Sequence, residues 1–261
     1  MQEDIDARVQ AYYGSEFDEQ RRLERPAGRL EMARVRELVA PLLAPHSTIV
    51  DIGGGTGVHA QWLAEAGHHV TVVDPVARHV EIAAQIPGVE ATMGDARSLM
   101  LESNSCDAAL LFGPLYHLES RASRVQALRE AARVVRPGGT VFGAVIPRWA
   151  VYTDSTTTLA DGASVPDEIH HILDTGESHP QAHFPGAHFH TSTELAAEME
   201  EADLEVVQLA AIEGPGGLPL EFVAQADDST IDAALTLVRA IGHLEGPREM
   251  SPHLMGIGRR R

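Results

Sequence analysis

The sequence predicts an α/β fold built on a doubly wound, mostly parallel sheet with helices on both faces. Short apolar, β-branched segments alternate with amphipathic helical segments between residues 48 and 146, a rhythm that is typical of parallel sheets. A glycine-rich turn also joins the first of these segments to the helix that follows it. Right-handed crossovers place the carboxyl ends of such strands along one edge. We therefore expect the functional site at that edge.

Composition excludes several classes of partner and chemistry. The 38 acidic residues outnumber 20 basic ones, all of them arginine, and the formal charge is −18. Such a charge argues against a nucleic-acid partner, and the lack of lysine excludes Schiff-base and P-loop chemistry. Cys106 is the only cysteine, so an internal disulfide is excluded and a cytoplasmic location is expected. An acidic amino terminus and the lack of an 18-residue apolar run predict no signal peptide and no membrane partner.

The amino-terminal residues 1–46 are predicted to form a helical cap. Apolar residues recur at near-helical spacing from Leu30 to Val39, and Pro41 limits that helix.

Residues 47–146 are predicted to form the core of the sheet. Its expected strands are 48–52, 69–73, 88–93, 107–112 and 140–146. Helices are expected over 58–66 and 76–86 and along the face from 125 to 135, where residues 136–139 end the last one.

The remaining chain is predicted to hold an insertion and the end of the same sheet. Residues 147–190 carry four prolines and six histidines and are too long for a simple connection, so we expect a substrate-side lid. Residues 191–261 are expected to complete the core. Thr191 and Glu194 match a capping box, and a strand is expected over 204–212. A loop over 214–217, a helix over 231–241 and a short strand over 253–258 should follow.

The glycine turn has the pattern D-x-G-x-G-x-G, formed by Asp51, Gly53, Gly55 and Gly57. Dinucleotide folds instead use G-x-G-x-x-G, whose third glycine would fall at Val58. A pyrophosphate would be repelled by the carboxylate of Asp51 at the mouth of the turn, whereas an ammonium group would be attracted. A nicotinamide oxidoreductase is therefore the weaker hypothesis.

These residues resemble motif I of the class I S-adenosylmethionine-dependent methyltransferases, and later segments resemble that family's next motifs in order. The second strand ends in Asp74, and Gly94-Asp95-Ala96-Arg97 follows the third. The closest resemblance is to a group of small-molecule methyltransferases that carry Gly-Pro-Leu-Tyr-His-Leu after strand four, here residues 113–118. The resemblance is strong over residues 46–146 and rests on strand order alone over 191–261. It implies a Rossmann-like seven-stranded sheet, with the last strand antiparallel, and S-adenosyl-L-methionine as cofactor.

The resemblance also implies a set of cofactor-binding residues. The turn supplies Asp51, Gly53, Gly54 and Gly55; Asp74 with Pro75 would bind the ribose, Asp95 with Ala96 the adenine, Phe112 would form a wall, and Tyr13 and Arg29 would close over the methionine end. Purely structural roles remain possible for some of these residues. Asp74 also suits a helix cap, Phe112 also suits the core, and Tyr13 and Arg29 also suit helix packing.

Two residues beyond strand four are candidates for catalysis. Tyr116 and His117 should lie where the transferred methyl group points, and His117 is either a general base or a structural histidine. A base is needed only where the acceptor must lose a proton, as a hydroxyl does. His188-x-His190 in an extended segment should point both rings to one side, but irregular histidine spacing favours no metal site.

The sequence thus favours methyl transfer to an oxygen or nitrogen of a small molecule by in-line displacement. Two alternatives remain, namely a protein of the same fold acting on a macromolecule and a non-methylating binder of the cofactor. The loop from Gly113 to Tyr116 lacks the amide or acid and the second proline of amino-methylating nucleic-acid enzymes. Residues 112–118 also lack the acidic ligands of metal-dependent catechol methyltransferases.

Overall fold

The computed structural model describes residues 2–16, 19–157, 164–178 and 184–261 of the chain. Within them, seven strands form one sheet in the order β3-β2-β1-β4-β5-β7-β6. The strands are β1 (Thr48–Ile52), β2 (His69–Asp74), β3 (Val89–Met93), β4 (Cys106–Leu111), β5 (Val135–Val145), β6 (Leu204–Ala211) and β7 (Leu254–Arg260). Only β7 runs antiparallel to its neighbours, β5 and β6. The predicted Rossmann-like sheet with an antiparallel last strand is confirmed.

Helices cover both faces and one edge of the sheet. They are α1 (Gln2–Ala11), α2 (Glu19–Glu24), α3 (Pro26–Val39), α4 (Val58–Glu65), α5 (Ala77–Ala83), α6 (Arg121–Val134), α7 (Arg148–Thr157), α8 (Asp167–Thr175), α9 (Ser192–Glu201), α10 (Gly217–Glu221), α11 (Asp228–Ile241) and α12 (Glu245–Glu249). The predicted capping box begins α9, since the Thr191 side chain and the Glu194 side chain each accept the other's backbone N–H. In the described part of the chain, none of these helices combines the length and apolarity needed to cross a bilayer.

Two apolar layers, one on each face of the sheet, form the core. Ile49, Val50 and Ile52 of β1 are fully buried because a parallel sheet is covered on both sides. On one face they meet side chains such as Leu128 of α6, and on the other side chains such as Leu63 of α4. Each large apolar side chain buried in this way stabilises the fold by about 1.5–3 kcal/mol. This core holds the strand ends in register.

The structure differs from the predictions in three connections. The loop expected over 214–217 is a 3-10 turn (Gly214–Gly216) that leads directly into α10. The glycines expected to stop α6 lie inside β5, which begins at Val135 and takes Gly138 at a φ of +79°. The insertion is partly regular, because it contains α7 and α8, and the latter ends at Gly176 with a φ of +76°. His179, Pro180 and His183 of the insertion lie outside the described residues.

Two segments far apart in sequence hold the loop after β4. The Gln2 side chain of α1 donates to the carbonyl of His117 and accepts the backbone N–H of Glu119, at 3.2 and 2.9 Å. From the insertion, the backbone N–H of Ala187 donates to the carbonyl of Tyr116 at 2.8 Å. The amino-terminal helix and the insertion therefore both cover the edge where the parallel strands end.

Candidate cofactor and acceptor site

A cavity of about 440 Å³ lies at the carboxyl edge of the parallel strands. Its volume is in the range of small-molecule sites. It is lined by every sequence-predicted site residue except Arg29: Tyr13, Asp51, Gly53, Gly54, Gly55, Asp74, Pro75, Asp95, Ala96, Phe112, Tyr116 and His117. The strand ends thus bring together side chains that are spread over about a hundred residues of the sequence, as expected for this topology.

The glycine turn closes tightly against its surroundings. Gly53 has a φ of +68°, and a Cβ there would lie 2.7 Å from Cγ of Pro114. At Gly54 a Cβ would lie 2.6 Å from the carboxylate carbon of Asp51. Side chains at these positions would therefore be strained or would displace Asp51 and the loop after β4.

Asp51 at the end of β1 has a buried carboxylate that lacks a partner. It is 1% exposed, and neither of its oxygens has a hydrogen-bond partner among the described residues. Burial, together with the nearby carboxylate of Asp74, raises the pKa of Asp51 to about 7. A buried carboxyl group without donors is costly. The site therefore provides an acceptor for a cationic or N–H group of a ligand, which fits the ammonium of S-adenosylmethionine.

Asp74 at the end of β2 organises the turn as well as lining the cavity. Its carboxylate accepts hydrogen bonds from the backbone N–H groups of Gly55 and Val76, both at 2.9 Å. His79 Nδ1 lies 3.1 Å from the same carboxylate. Asp74 therefore supports the glycine turn from the second strand, in addition to the predicted contact with a ribose.

Asp95, after β3, is held by Arg97. The backbone N–H and Nε of Arg97 donate to its carboxylate at 2.8 and 2.9 Å. Burial opposes ionisation, but these hydrogen bonds outweigh it and hold the pKa of Asp95 below its usual value. Arg97 also donates to Asp6 of α1 at 2.9 Å. Asp95 and Arg97 thus form the wall of the cavity beside β3, and Arg97 links this wall to the amino-terminal helix α1.

His117, the predicted base, has both ring nitrogens engaged. Nδ1 lies 2.9 Å from the carbonyl of Pro185, and since a carbonyl only accepts, Nδ1 carries the hydrogen. Nε2 therefore accepts from the hydroxyl of Tyr13 at 3.1 Å. Burial lowers the pKa of His117 to about 4, so the ring is neutral near pH 7. The hydroxyl of Tyr116 donates to the carbonyl of Phe112 at 3.0 Å. In this geometry neither residue has a free group aimed at an acceptor.

Arg29 is a correction, because the structure places it away from the cavity. Its guanidinium donates to the carbonyl of Ala226 at 2.9 Å and pairs with the carboxylate of Asp228. The guanidinium that reaches the cavity belongs to Arg22 of α2, which donates to Glu31 at 2.6 and 3.0 Å. Position 29 faces α11, so the predicted contact of Arg29 with the methionine carboxylate is wrong.

A network of four charged residues, Arg22, Glu31, Glu213 and His253, forms the end of the cavity beyond Phe112. Nδ1 of His253 lies 2.7 Å from Glu213 and 4.0 Å from Glu31. Burial lowers the pKa of His253, but the two carboxylates outweigh it and raise the pKa to about 9. Burial raises the pKa of Glu31, and Arg22 and His253 outweigh this and lower it to about 2.

We assign this charged network as ion pairs rather than as a metal centre. The ligand atoms of Glu31, Glu213 and His253 lie within 4.8 Å of one another. However, Arg22 donates twice to Glu31, and Glu213 accepts from Ser251 and twice from His253. Lone pairs that a cation would need are therefore already used.

The sequence signals missed this end of the cavity. Arg22, Glu31, Glu221 and His253 all line it but lie outside the motif-bearing residues 46–146. His253 could have been predicted at the site only from the sheet order, in which β7 lies beside β5. The predicted pair His188 and His190 does point to one side, with ring centroids 4.6 Å apart. Neither of those two rings lines the cavity, and His190 instead lies 3.2 Å from Glu198.

Comparisons with known proteins agree with this geometry. Residues 50–143 match the family model of a methyltransferase domain. The uncharacterized methyltransferase Rv3342 of Mycobacterium tuberculosis is 37% identical over 92 residues, which cover 35% of this chain and 36% of that protein. The ubiquinone/menaquinone biosynthesis C-methyltransferase UbiE of Acidiphilium cryptum is 35% identical over 117 residues, or 41% of this chain and 45% of that protein. The chain thus spans less than half the length of the curated relatives it matches.

Solved structures support the fold across nearly the whole chain. The complex of the Haloferax volcanii Trm112 methyltransferase activator with its candidate methyltransferase contains a chain that superposes with a TM-score of 0.61. The two chains are 17% identical, and the match covers 96% of each. The match over residues 50–143 and the motif residues gathered at one cavity agree that this part of the chain is a methyltransferase domain.

Proposed function

We propose that the protein transfers a methyl group from S-adenosylmethionine to an oxygen or nitrogen of a small molecule. The observation that carries this proposal is the buried, unpartnered carboxylate of Asp51 beside a glycine turn, in a cavity that continues past the loop after β4. When bound, the cofactor supplies an electrophilic methyl group on a positively charged sulfur. The chain then has to hold the acceptor in line with that group and exclude water.

Each cavity residue has a proposed role toward the cofactor. Asp51 would accept the ammonium, the backbone of Gly53, Gly54 and Gly55 would approach the methionine part, Asp74 with Pro75 would bind the ribose hydroxyls, Asp95 with Ala96 would border the adenine, and Phe112 and Tyr13 would enclose it. Arg22 also lines the cavity, where its guanidinium holds Glu31 with two hydrogen bonds.

The enclosure of the cavity supports a small-molecule acceptor. Tyr12, Tyr13 and Phe184 come from the amino-terminal cap and the insertion, and all three line the cavity beside Tyr116 and His117. We propose that residues 1–46 and 147–190 act as a cap and a lid over the core formed by 47–146 and 191–261. A covered pocket admits a metabolite more readily than a polymer, and a cytoplasmic protein of this kind would meet its acceptor in solution.

A macromolecular acceptor is the second candidate function. It is favoured by one observation, the likeness to the Haloferax volcanii chain that is bound to a methyltransferase activator. The charge of −18 opposes it for nucleic acids, because their phosphates repel an acidic surface. Salt-sensitive binding of transfer RNA would favour this candidate over the first.

A mass-spectrometric screen tests the proposal. Purified protein is incubated with S-adenosylmethionine and panels of phenols, alcohols, amines and carboxylates. We expect the gain of one methyl group in a member of the panel, together with stoichiometric S-adenosylhomocysteine. Cofactor binding without S-adenosylhomocysteine formation in any panel would instead indicate a non-methylating binder. Asp51→Asn serves as the control, because it removes the charge that attracts the cofactor's ammonium and should suppress the reaction.

A further inference from the structure

His79 is a histidine at a position of α5 that faces the core. His79 and Ala83 are the buried residues of this helix, and they lie one turn apart on the face that packs against the glycine turn. A Cβ at Gly57 would lie 3.2 Å from Cβ of Ala83. At Gly55 a Cβ would lie 3.9 Å from Nδ1 of His79. An apolar side chain would suffice to pack this face, so the buried imidazole needs another explanation.

The carboxylate of Asp74 fixes the ring of His79. Nδ1 of His79 lies 3.1 Å from Oδ1 of Asp74, and the two side chains are 9% and 6% exposed. Each oxygen of the carboxylate also accepts a backbone N–H, that of Val76 on Oδ1 and that of Gly55 on Oδ2. The carboxylate is therefore the acceptor, and Nδ1 carries the hydrogen. This leaves Nε2 as the second polar atom of the ring.

Nε2 of His79 is available to a ligand in the cavity that the residue lines. Among the described residues Nε2 has no hydrogen-bond partner, and it is not one of the side-chain atoms that are both fully buried and unpaired. The ring of Tyr13 packs edge-on against the imidazole, with centroids 5.8 Å apart, while its hydroxyl bonds to His117. His79 thus combines a fixed ring with a nitrogen that a bound molecule can reach.

The acceptor capacity of Asp74 indicates what Nε2 would bind. A carboxylate offers about four lone-pair sites. Oδ1 uses both of its sites, for Val76 and His79, and Oδ2 uses one, for Gly55. About one site is therefore left. A ribose presents two neighbouring hydroxyls, and each needs a partner when the ribose is buried. Asp74 alone can satisfy one of them.

We propose that His79 binds the ribose of S-adenosylmethionine jointly with Asp74. One ribose hydroxyl donates to the remaining site on Oδ2 of Asp74, and the other bonds to Nε2 of His79. A hydroxyl both donates and accepts, so it can bond to Nε2 whether or not that nitrogen carries a hydrogen. This inference rests on the cofactor that the proposed function names and on the assignment of Asp74 to its ribose.

A shared ribose site has a consequence for selectivity. A ligand that lacks one hydroxyl would leave either Nε2 of His79 or one site of Asp74 without a partner. Sites built to bond a hydroxyl reject analogues that lack it, because the buried polar group then stays unpaired. The two hydroxyls should therefore report on two different side chains. This separates direct binding by His79 from mere support of Asp74.

The test compares His79→Asn with His243→Asn, the same exchange at an exposed histidine outside the cavity. The asparagine amide can take the place of Nδ1 beside Asp74, but nothing replaces Nε2. Isothermal titration calorimetry measures the Kd of S-adenosylhomocysteine and of its 2′-deoxy and 3′-deoxy analogues. In the wild type and in His243→Asn, each analogue should bind ~10-fold more weakly than the parent ligand. In His79→Asn, the parent Kd should rise ~10-fold, and the loss should vanish for one analogue and persist for the other.

His79→Gln serves as the rescue variant. Its longer side chain brings an amide oxygen close to the place of Nε2, so the loss for the same analogue should return. A second measurement needs no substitution. In ¹⁵N-labelled wild-type protein, with the ring of His79 assigned through its own backbone, S-adenosylhomocysteine should shift the Nε2 signal. Only one of the two deoxy analogues should produce the same shift.

Three results would overturn the inference. Unchanged losses for both analogues in His79→Asn would show that Nε2 does not touch the ribose. Vanished losses for both would show that His79 acts only by holding Asp74. Wild-type protein that binds both analogues as tightly as the parent ligand would remove the ribose from both side chains. Failure of the methyl-transfer screen, with the expected analogue preferences intact, would refute the proposed function while supporting the role of His79.

Discussion

Two histidines of the cavity, His117 and His253, differ in charge near neutral pH, because the first ring is neutral and the second is positively charged. Beside Tyr13 and Pro185, His117 is held by a hydroxyl and a carbonyl, and burial lowers its pKa to about 4. In the charged network, the His253 side chain is 18% exposed, and Glu213 and Glu31 raise its pKa to about 9. For His117 burial dominates and the ring is neutral, whereas for His253 the two carboxylates outweigh burial and the ring is charged. The balance between burial and the neighbouring charges therefore decides the charge of each ring.

Of the substitutions discussed here, the one at Asp74 should have the largest effect, and that effect should be on cofactor binding. Asp74→Ala removes the carboxylate that holds Gly55 and that we assign to the ribose, and hydrogen bonds to charged groups are worth ~1.5–3 kcal/mol each. We expect the Kd for S-adenosylhomocysteine to rise at least ~100-fold, measured by isothermal titration calorimetry. If Asp74→Ala melts like the wild type and binds normally, the ribose assignment is wrong.

The dependence of stability on pH should have opposite slopes for the two histidines. The pKa of His253 rises from 6.5 to about 9 on folding, so its stabilisation is complete below pH 6.5 and is lost as the pH rises through 9. The pKa of His117 falls from 6.5 to about 4, so it costs stability as the pH falls from 6.5 to 4. Because His253 is partly exposed, we expect its contribution to be ~2–3 kcal/mol.

Urea unfolding of His253→Gln, His117→Gln and His243→Gln at about pH 5, 7 and 9 measures these slopes. His253→Gln should flatten the alkaline decline, and His117→Gln should reduce the acid decline that other buried histidines share. His243→Gln should follow the wild-type curve. Parallel curves for all three variants would mean that the two ends do not differ in charge.

Asp51 should make cofactor affinity depend on pH. Burial raises its pKa to about 7, and binding of the cofactor's ammonium requires the ionised form. The Kd for S-adenosylhomocysteine should therefore rise by up to ~10-fold for each pH unit below about 7. Methylthioadenosine, which lacks the amino-acid part, is the matched ligand and should show a flatter profile, as should Asp51→Asn with either ligand. Equal slopes for the two ligands would exclude the ammonium contact.

Much of the fold and of the cofactor half of the cavity could be predicted because the signals are local. The run from Ile49 to Gly57 shows a buried strand, an acid and a turn within nine residues, and the structure places these as expected. Helix periodicity found α3 and α11 for the same reason. Strand ends of a parallel sheet then bring Asp51, Asp74 and Asp95 to one edge without further information.

The end of the cavity formed by the charged network could not be predicted, because its contacts join segments that are distant in sequence. Arg22 lies in α2 and Arg29 in α3, and only the pairing of Arg29 with Asp228 of α11 shows which of the two arginines turns to the cavity. Glu213 and His253 are forty residues apart and meet because β7 inserts between β5 and β6. The glycine and proline content of 214–217 indicated a loop, yet packing of α10 against α3 makes these residues helical. Tertiary contact overrides local preference in each case.

The position of β7 also governs how the molecule is assembled during synthesis. Among the strands of the described chain, β6 pairs with β7 alone, and β7 connects it to β5. During synthesis, β6 leaves the ribosome some forty residues before β7. Until β7 is available, β6 has no partner strand, and its edge is exposed to pairing with other chains. Because His253 immediately precedes β7 and lines the cavity, the wall of the cavity is complete only after this last strand has paired with β5 and β6.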